Sequence, residues 1–170
     1  WGVNVFFLDM DPVLAASYMA TDHLTKMPIE CAQMLSTAHD EVGLWRQGMC
    51  KPCFANHPST QWVRSTDSNY QWTLKHMIAL LKERDKRGLA LHEVWNRVGY
   101  LYQSPCYIRR GPLTPPNLAM PGYYKGLAGD FEDCIFSYRW YYYQDKILGK
   151  GMGYVGTTEP EWLLHLKGKL

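Results

Sequence analysis

The chain has 170 residues, of which 46% are hydrophobic and 20% charged. That balance buries a core and excludes a disordered chain. A formal net charge of +2 permits a nucleic-acid partner but excludes the strongly basic balance of a DNA-packaging protein. The longest apolar run, VNVFFL at 3–8, is too short to span a bilayer and lacks a signal-peptide layout. No membrane association is expected. The expected location is the cytoplasm, that of a host cell if the protein is viral.

In chain order, Trp1 and Gly2 need not be native, and VNVFFLD reads as a short buried strand or an extended lead-in. Asp11-Pro12 is a helix start, an N-cap candidate followed by proline in the first turn, and predicts a helix over PVLAASYMATDHL. The next predicted helix is IECAQMLSTAHDEV, with Met27, Cys31, Met34, Leu35 and Ala38 recurring at steps of three or four. Pro28 either kinks a continuous helix from 12 to 40 or restarts it from its own first turn. Residues 46–60, RQGMCKPCFANHPST, read as a loop.

A third helix is predicted from about Thr66 to Arg87, striped by Tyr70, Leu74, Met77, Ile78 and Leu81 and stopped by Gly88. Its end gathers Lys82, Arg84, Lys86 and Arg87, read as a solvated face that complements the helix dipole. ALHEVWNRVGYLYQ predicts a shorter fourth helix. SPCYIRRGPLTPPNLAMPGYYKG carries five prolines and reads as a long irregular loop, a length more often functional than idle. DFEDCIFSYRWYYYQDKIL predicts a final, densely aromatic helix, followed by a flexible GKGMGYVG and a closing EPEWLLHLKGKL. The expected fold is mainly α: residues 1–170 as one compact helical bundle with a short N-terminal extended segment and long irregular loops.

The stretch TDHLTKMPIECAQML sets three titratable groups in a largely apolar segment. On a continuous helix His23 and Glu30, seven apart, share a face two turns long, with Lys26 between them. A half-buried carboxylate beside a lysine and a histidine suits general acid–base work, because each neighbour moves the others' proton affinities. The plainer alternative is a surface i,i+4 Lys–Glu pair with a histidine nearby.

Two further clusters interleave aromatic and polar side chains. NHPSTQWVRSTDSNYQW carries His57, Arg64, Asn69, Tyr70 and Trp72, and SYRWYYYQDK carries Arg139, Tyr142 and Lys146. Planar rings stack on bases, while Arg, Lys and Asn reach phosphates or base edges, so both read as nucleic-acid-binding candidates. The alternative for each is aromatic packing with polar edges showing. The chain's 12 Tyr and 7 Trp against 5 Phe fit either reading.

The five cysteines show no disulfide framework. Cys50 and Cys53 in CKPC, with His57 following, have the spacing of metal ligands but lack a fourth partner. A structural zinc there is a minor expectation, and no other cofactor is expected. P-loop, Rossmann, GxSxG and HExxH motifs are absent from the sequence.

DHLTKMPIECAQML resembles the helix of the pyrimidine-dimer DNA glycosylase/AP-lyase family of the phage endonuclease V type, in which a histidine precedes the catalytic glutamate by seven residues. His23 and Glu30 match that spacing. The basic KRG ending a long helix and the aromatic YRWYYY segment extend the resemblance. The chain also resembles small phage proteins sharing the pattern DPVLAA, DHLTKM, ECAQMLSTAH, NHPSTQWVR and NYQW, which bring no assigned activity. It departs from the glycosylases at Ile29, where they carry arginine, and at Pro28.

The glycosylase resemblance implies a compact helical enzyme that excises damaged pyrimidines from DNA, expected to be double-stranded. An N-terminal α-amine would attack C1′ of the sugar to form a Schiff base, with Glu30 stabilising the developing positive charge. Lys26 is the alternative amine, and His23 would orient substrate or phosphate. Three other readings stay open: a non-catalytic phage nucleic-acid-binding or host-takeover protein, a zinc-stabilised interaction module, and an enzyme of free nucleotides.

Overall fold

The computed structural model describes residues 3–126 and 129–170, so the reading of Trp1 and Gly2 lies outside it. Val3, Val5, Phe6, Phe7 and Leu8 are all buried, yet they join no sheet, and no strand occurs among the described residues. The stretch is therefore a lead-in, and its polar backbone groups find partners elsewhere. Asn4 N–H donates to the Glu30 carboxylate, and the amides of Val5 and Phe6 donate to the Asn4 side-chain oxygen. Phe6 is held at φ 57°, a left-handed conformation uncommon for a bulky residue.

Helix α1 spans Pro12–Ser17, capped by the Asp11 carboxylate, which accepts from Val13 N at 2.8 Å. The predicted helix over 12–24 stops early, because other side chains take over the backbone groups that would have continued it. Arg87 donates to Ser17 O and Met19 O, and the Tyr142 hydroxyl accepts Ala20 N–H. One turn of 3-10 helix, Thr21–Leu24, leads into α2, Lys26–Glu41. Pro28 is the third residue of α2, where a backbone N–H has no intrahelical partner, so the proline restarts the helix without breaking a bond.

The segment 46–60, read wholly as loop, in fact ends in α3, Pro58–Ser65, with the His57 ring accepting Ser59 N–H as the cap. Helix α4, Asp67–Lys86, agrees with expectation. Thr66 caps it by accepting Asn69 N–H, and Gly88 at φ 76° follows its end. Its basic end is only partly a solvated face, since Arg84 and Arg87 are buried. Arg84 donates to Leu24 O and Ala90 O. Arg87 pairs with Glu83 at 3.0 Å. Both arginines thus fasten α4 to the segment that carries His23.

The predicted fourth helix is a 3-10 stretch, Glu93–Arg97, running into a single α turn, α5, Val98–Leu101. The proline-rich loop contains one 3-10 turn, Gly122–Tyr124. It is laced to the α3–α4 corner: Asn69 exchanges hydrogen bonds with Thr114, and the Asp67 carboxylate accepts Gly111 N–H. Helix α6, Phe131–Tyr141, opens on a reciprocal Asp130–Asp133 capping box and widens into π-helical turns over Tyr142–Gly149.

The GKGMGYVG stretch, expected to be flexible, is pinned. Gly153 O accepts Thr21 N–H, the Asp22 carboxylate accepts Gly153 N–H, and the Thr21 hydroxyl accepts Val155 N–H. A last helix, α7, Glu161–Leu166, closes the chain. α4 packs against α1, α2 and α3 around one hydrophobic core that the lead-in and α6 also enter. The fold is a compact, mainly α single domain. Among the described residues no helix is long and apolar enough to cross a membrane.

Candidate active site

Four parts of the chain meet at the first turns of α2: the lead-in, the 3-10 turn, α2 itself, and the π-helical end of α6. Lys26 and Glu30, four apart on α2, form an ion pair with 3.8 Å between Lys26 Nζ and Glu30 Oε2. That distance is too long for a hydrogen bond. Glu30 Oε1 accepts Asn4 N–H at 2.8 Å, while Oε2 is buried with no hydrogen-bond partner. The Lys26 side chain is 71% exposed and that of Glu30 only 7%. Burial raises the Glu30 pKa, and Lys26, the Asn4 amide and Lys146 oppose that rise.

His23 reaches the same place from the 3-10 turn rather than from a continuous helix. Its Nδ1 lies 2.8 Å from the Tyr142 hydroxyl, and its ring stacks on Phe6 with centroids 5.0 Å apart. The Tyr142 hydroxyl also accepts Ala20 N–H and so ties the His23 ring to the 3-10 turn. Burial lowers the His23 pKa to about 3, assisted by Lys146, Lys26 and Lys150 and opposed by Asp22. At neutral pH His23 is therefore uncharged, and any role with substrate falls to a neutral ring.

Lys146 Nζ sits 3.0 Å from the Asp145 carboxylate, 5.6 Å from the Phe6 ring centroid and 5.5 Å from that of Tyr141. An ammonium over two ring faces is attracted by their quadrupoles. Lys26 and Lys146 make the surroundings of the buried acid cationic, and the exposed Lys150 acts on His23. Glu30 itself faces inward beneath the lead-in. The cavities of about 380, 440 and 570 Å³ along α4 open on other faces.

The structure thus brings together His23, Lys26, Glu30, Tyr142 and Lys146. The other candidates lie elsewhere and are occupied with structural work. Asn69 is fully buried, and its amide donates to Trp62 O and Thr114. Tyr70 is buried, donating to Leu101 O and bonded to His39. The Trp72 indole N–H donates to Met10 O, and Trp72 stacks on His76. Tyr142, buried under the His23 segment, offers no ring face to a base.

These four residues were read as nucleic-acid contacts because aromatic and amide residues look alike in sequence whether they pack or bind. His57 is the α3 cap, and Arg64 donates to Ala55 O at 2.6 Å. Arg139 clamps the lead-in, donating to Leu8 O and pairing with Asp9 at 3.2 Å. Among the described residues no group of three or more His, Cys, Asp or Glu side chains is placed to hold a metal ion. The CKPC backbone instead latches onto α2, with Cys50 N–H and Cys53 N–H donating to the hydroxyls of Ser36 and Thr37.

Asn4, Phe6 and Lys150 escaped the sequence reading. Nothing in the sequence marks Asn4 or the left-handed Phe6. Lys150 follows Lys146 by four residues, a spacing that placed it on the face of a site residue.

The first turns of the second helix thus carry a buried carboxylate on which Lys26 and Lys146 act. The sequence model of the pyrimidine dimer DNA glycosylase family matches residues 3–97. The chain belongs to that family. The matched region holds the lead-in, His23, Lys26 and Glu30, whereas Tyr142, Lys146 and Lys150 come from beyond it. No curated protein and no solved structure matches the chain.

Proposed function

We propose that this protein is a DNA glycosylase that cleaves the N-glycosidic bond of a damaged or modified pyrimidine in duplex DNA, with AP-lyase activity following. The single observation that carries the reading is the Glu30 carboxylate. It is buried, it is fixed on one oxygen by Asn4 N–H, and its other oxygen has no hydrogen-bond partner. A desolvated carboxylate of this kind stabilises a cationic centre far more than a solvated one does, and C1′ becomes cationic as the base departs.

Glu30 is the catalytic carboxylate in this account and Lys26 its counter-ion. A bound sugar would meet Oε2, the oxygen that faces Lys26. His23 presents its neutral ring to substrate, while Lys26 and Lys146 supply cationic character toward phosphates.

The test incubates the full chain with ultraviolet-irradiated duplex and with matched undamaged duplex, and scores alkali-revealed breaks and released base. Damage-dependent breaks are expected. Salt-sensitive binding to both duplexes without breaks in either would favour the non-catalytic DNA-binding alternative.

A further inference from the structure

We infer that Tyr123 and Tyr124 form a shelf, joined to the Glu30 site by a run of touching rings, on which one unpaired DNA base stacks. The inference rests on the DNA reading given above for its partner. Tyr123 is 79% exposed, although the backbone of its turn is fixed. Pro121 O accepts Tyr124 N–H at 3.0 Å, Gly122 O accepts Lys125 N–H at 3.1 Å, and the Ser137 hydroxyl accepts Gly126 N–H at 3.0 Å. Four residues before Tyr123, Ala119 O accepts from the Asn4 side chain at 2.9 Å, and Asn4 N–H is the group that holds Glu30. One residue of the lead-in thus grips both the acid and the loop that carries the shelf.

Behind Tyr123 the rings run inward in contact. Centroids are 4.4 Å apart for Tyr123 and Tyr124, 5.0 Å for Tyr124 and Tyr141, 5.9 Å for Tyr141 and Phe6, and 5.0 Å for Phe6 and His23. Exposure falls along the series, from Tyr123 through half-buried Tyr124 to buried Tyr141 and Phe6. The inner rings back the outer ones, so Tyr123 binds with little ordering left to do. Lys146 Nζ lies over Tyr141 and Phe6, and Lys125, next in the chain to Tyr124, is exposed. Cations beside an aromatic shelf suit the phosphates that accompany a base. Both tyrosines come from beyond the matched region 3–97.

Every base has a π-face, but stacking inside a duplex covers it, so the shelf serves a base that has left the stack. A groove for single strands sets out several rings for successive bases. Here the outermost ring alone stands clear of the protein, which is room for one base. The occupant is therefore a single base displaced from an otherwise paired duplex.

The experiment measures by fluorescence anisotropy the affinity of the full chain for three probes: a fully paired duplex, the same duplex with one extra unpaired base, and the single strand. The wild-type chain is expected to bind the duplex with the unpaired base about 10-fold more tightly than the paired one. Tyr123→Ala is expected to abolish that preference while binding the paired duplex as wild type does and melting at the wild-type temperature. Tyr123→Trp is expected to keep the preference, because the ring and not the hydroxyl does the stacking.

Equal wild-type affinity for the two duplexes would overturn the inference. So would a preference undiminished in Tyr123→Ala, a loss of affinity shared equally by both duplexes, or tightest binding to the single strand. Cleavage of irradiated duplex by the same preparation is scored separately. Cleavage without a preference for the unpaired base removes only the shelf. A preference that Tyr123→Ala abolishes, without cleavage, upholds the shelf and removes the glycosylase reading.

Discussion

Replacing Glu30 by Gln should raise the stability of this protein at neutral pH, the reverse of what a buried structural ion pair would do. The side chain keeps its shape and can still accept Asn4 N–H. It gives up a charge whose burial cost exceeds what Lys26, the Asn4 amide and Lys146 return, as the raised pKa of Glu30 shows. A buried carboxylate oxygen left without a partner costs about 1–3 kcal/mol. Weakening the Asn4 bond from charged to neutral acceptor costs about 1 kcal/mol. Losing the pair with a largely exposed Lys26 costs at most about 0.5 kcal/mol.

The balance is a gain of about 0.5 kcal/mol, or about 1–2 °C in Tm for a chain of this length. The pH dependence has a definite sign. A carboxyl with a raised folded pKa contributes its full stability below its unfolded pKa of 4.5, and that contribution is lost as pH rises through the folded value. The wild-type chain should therefore lose stability over that interval relative to Glu30→Gln. Thermal melts of both proteins at several pH values make the measurement. A Tm of Glu30→Gln several degrees below wild type at neutral pH would refute the reasoning and make Glu30 a structural pin for the lead-in.

Further outcomes follow from the same contacts. Lys26→Ala removes a charge that holds the Glu30 pKa down, so the acidic limb of the pH–rate profile should move to higher pH with stability changed by less than about 0.5 kcal/mol. Tyr142→Phe leaves Ala20 N–H and His23 Nδ1 without their partner. Denaturant titration should register a loss of about 2–4 kcal/mol. Arg87→Ala strands the buried Glu83 and frees Ser17 O and Met19 O. It should cost about 3–5 kcal/mol, against less than about 0.5 kcal/mol for Lys86→Ala on the exposed side.

What could be read from the sequence was what local rules decide. The stripe from Tyr70 to Leu81 and the Gly88 stop placed α4, because a periodic face and a stop agree there, and the structure adds the Thr66 cap. Glu30, Lys26 and His23 were grouped by spacing, and they do converge, although His23 arrives on a 3-10 turn rather than along one helix. The break at Tyr18 was hidden because its cause is remote: Arg87 and Tyr142 capture backbone groups from 68 and 122 residues away. The pinning of GKGMGYVG by Thr21 and Asp22 is hidden for the same reason. Asn69, Tyr70 and Trp72 were assigned to DNA because their chemistry suits it. Their burial is decided by the proline-rich loop, by Leu101 and by the lead-in, which pack against them from distant parts of the chain.

The central claim is that the buried Glu30 carboxylate supports bond cleavage at C1′. Single-turnover cleavage of an irradiated duplex by wild type and by Glu30→Gln, with duplex affinity measured alongside, tests it most directly. The account predicts that Glu30→Gln binds the duplex as wild type does and cleaves at least about 100-fold more slowly. Equal cleavage rates for the two proteins would contradict it.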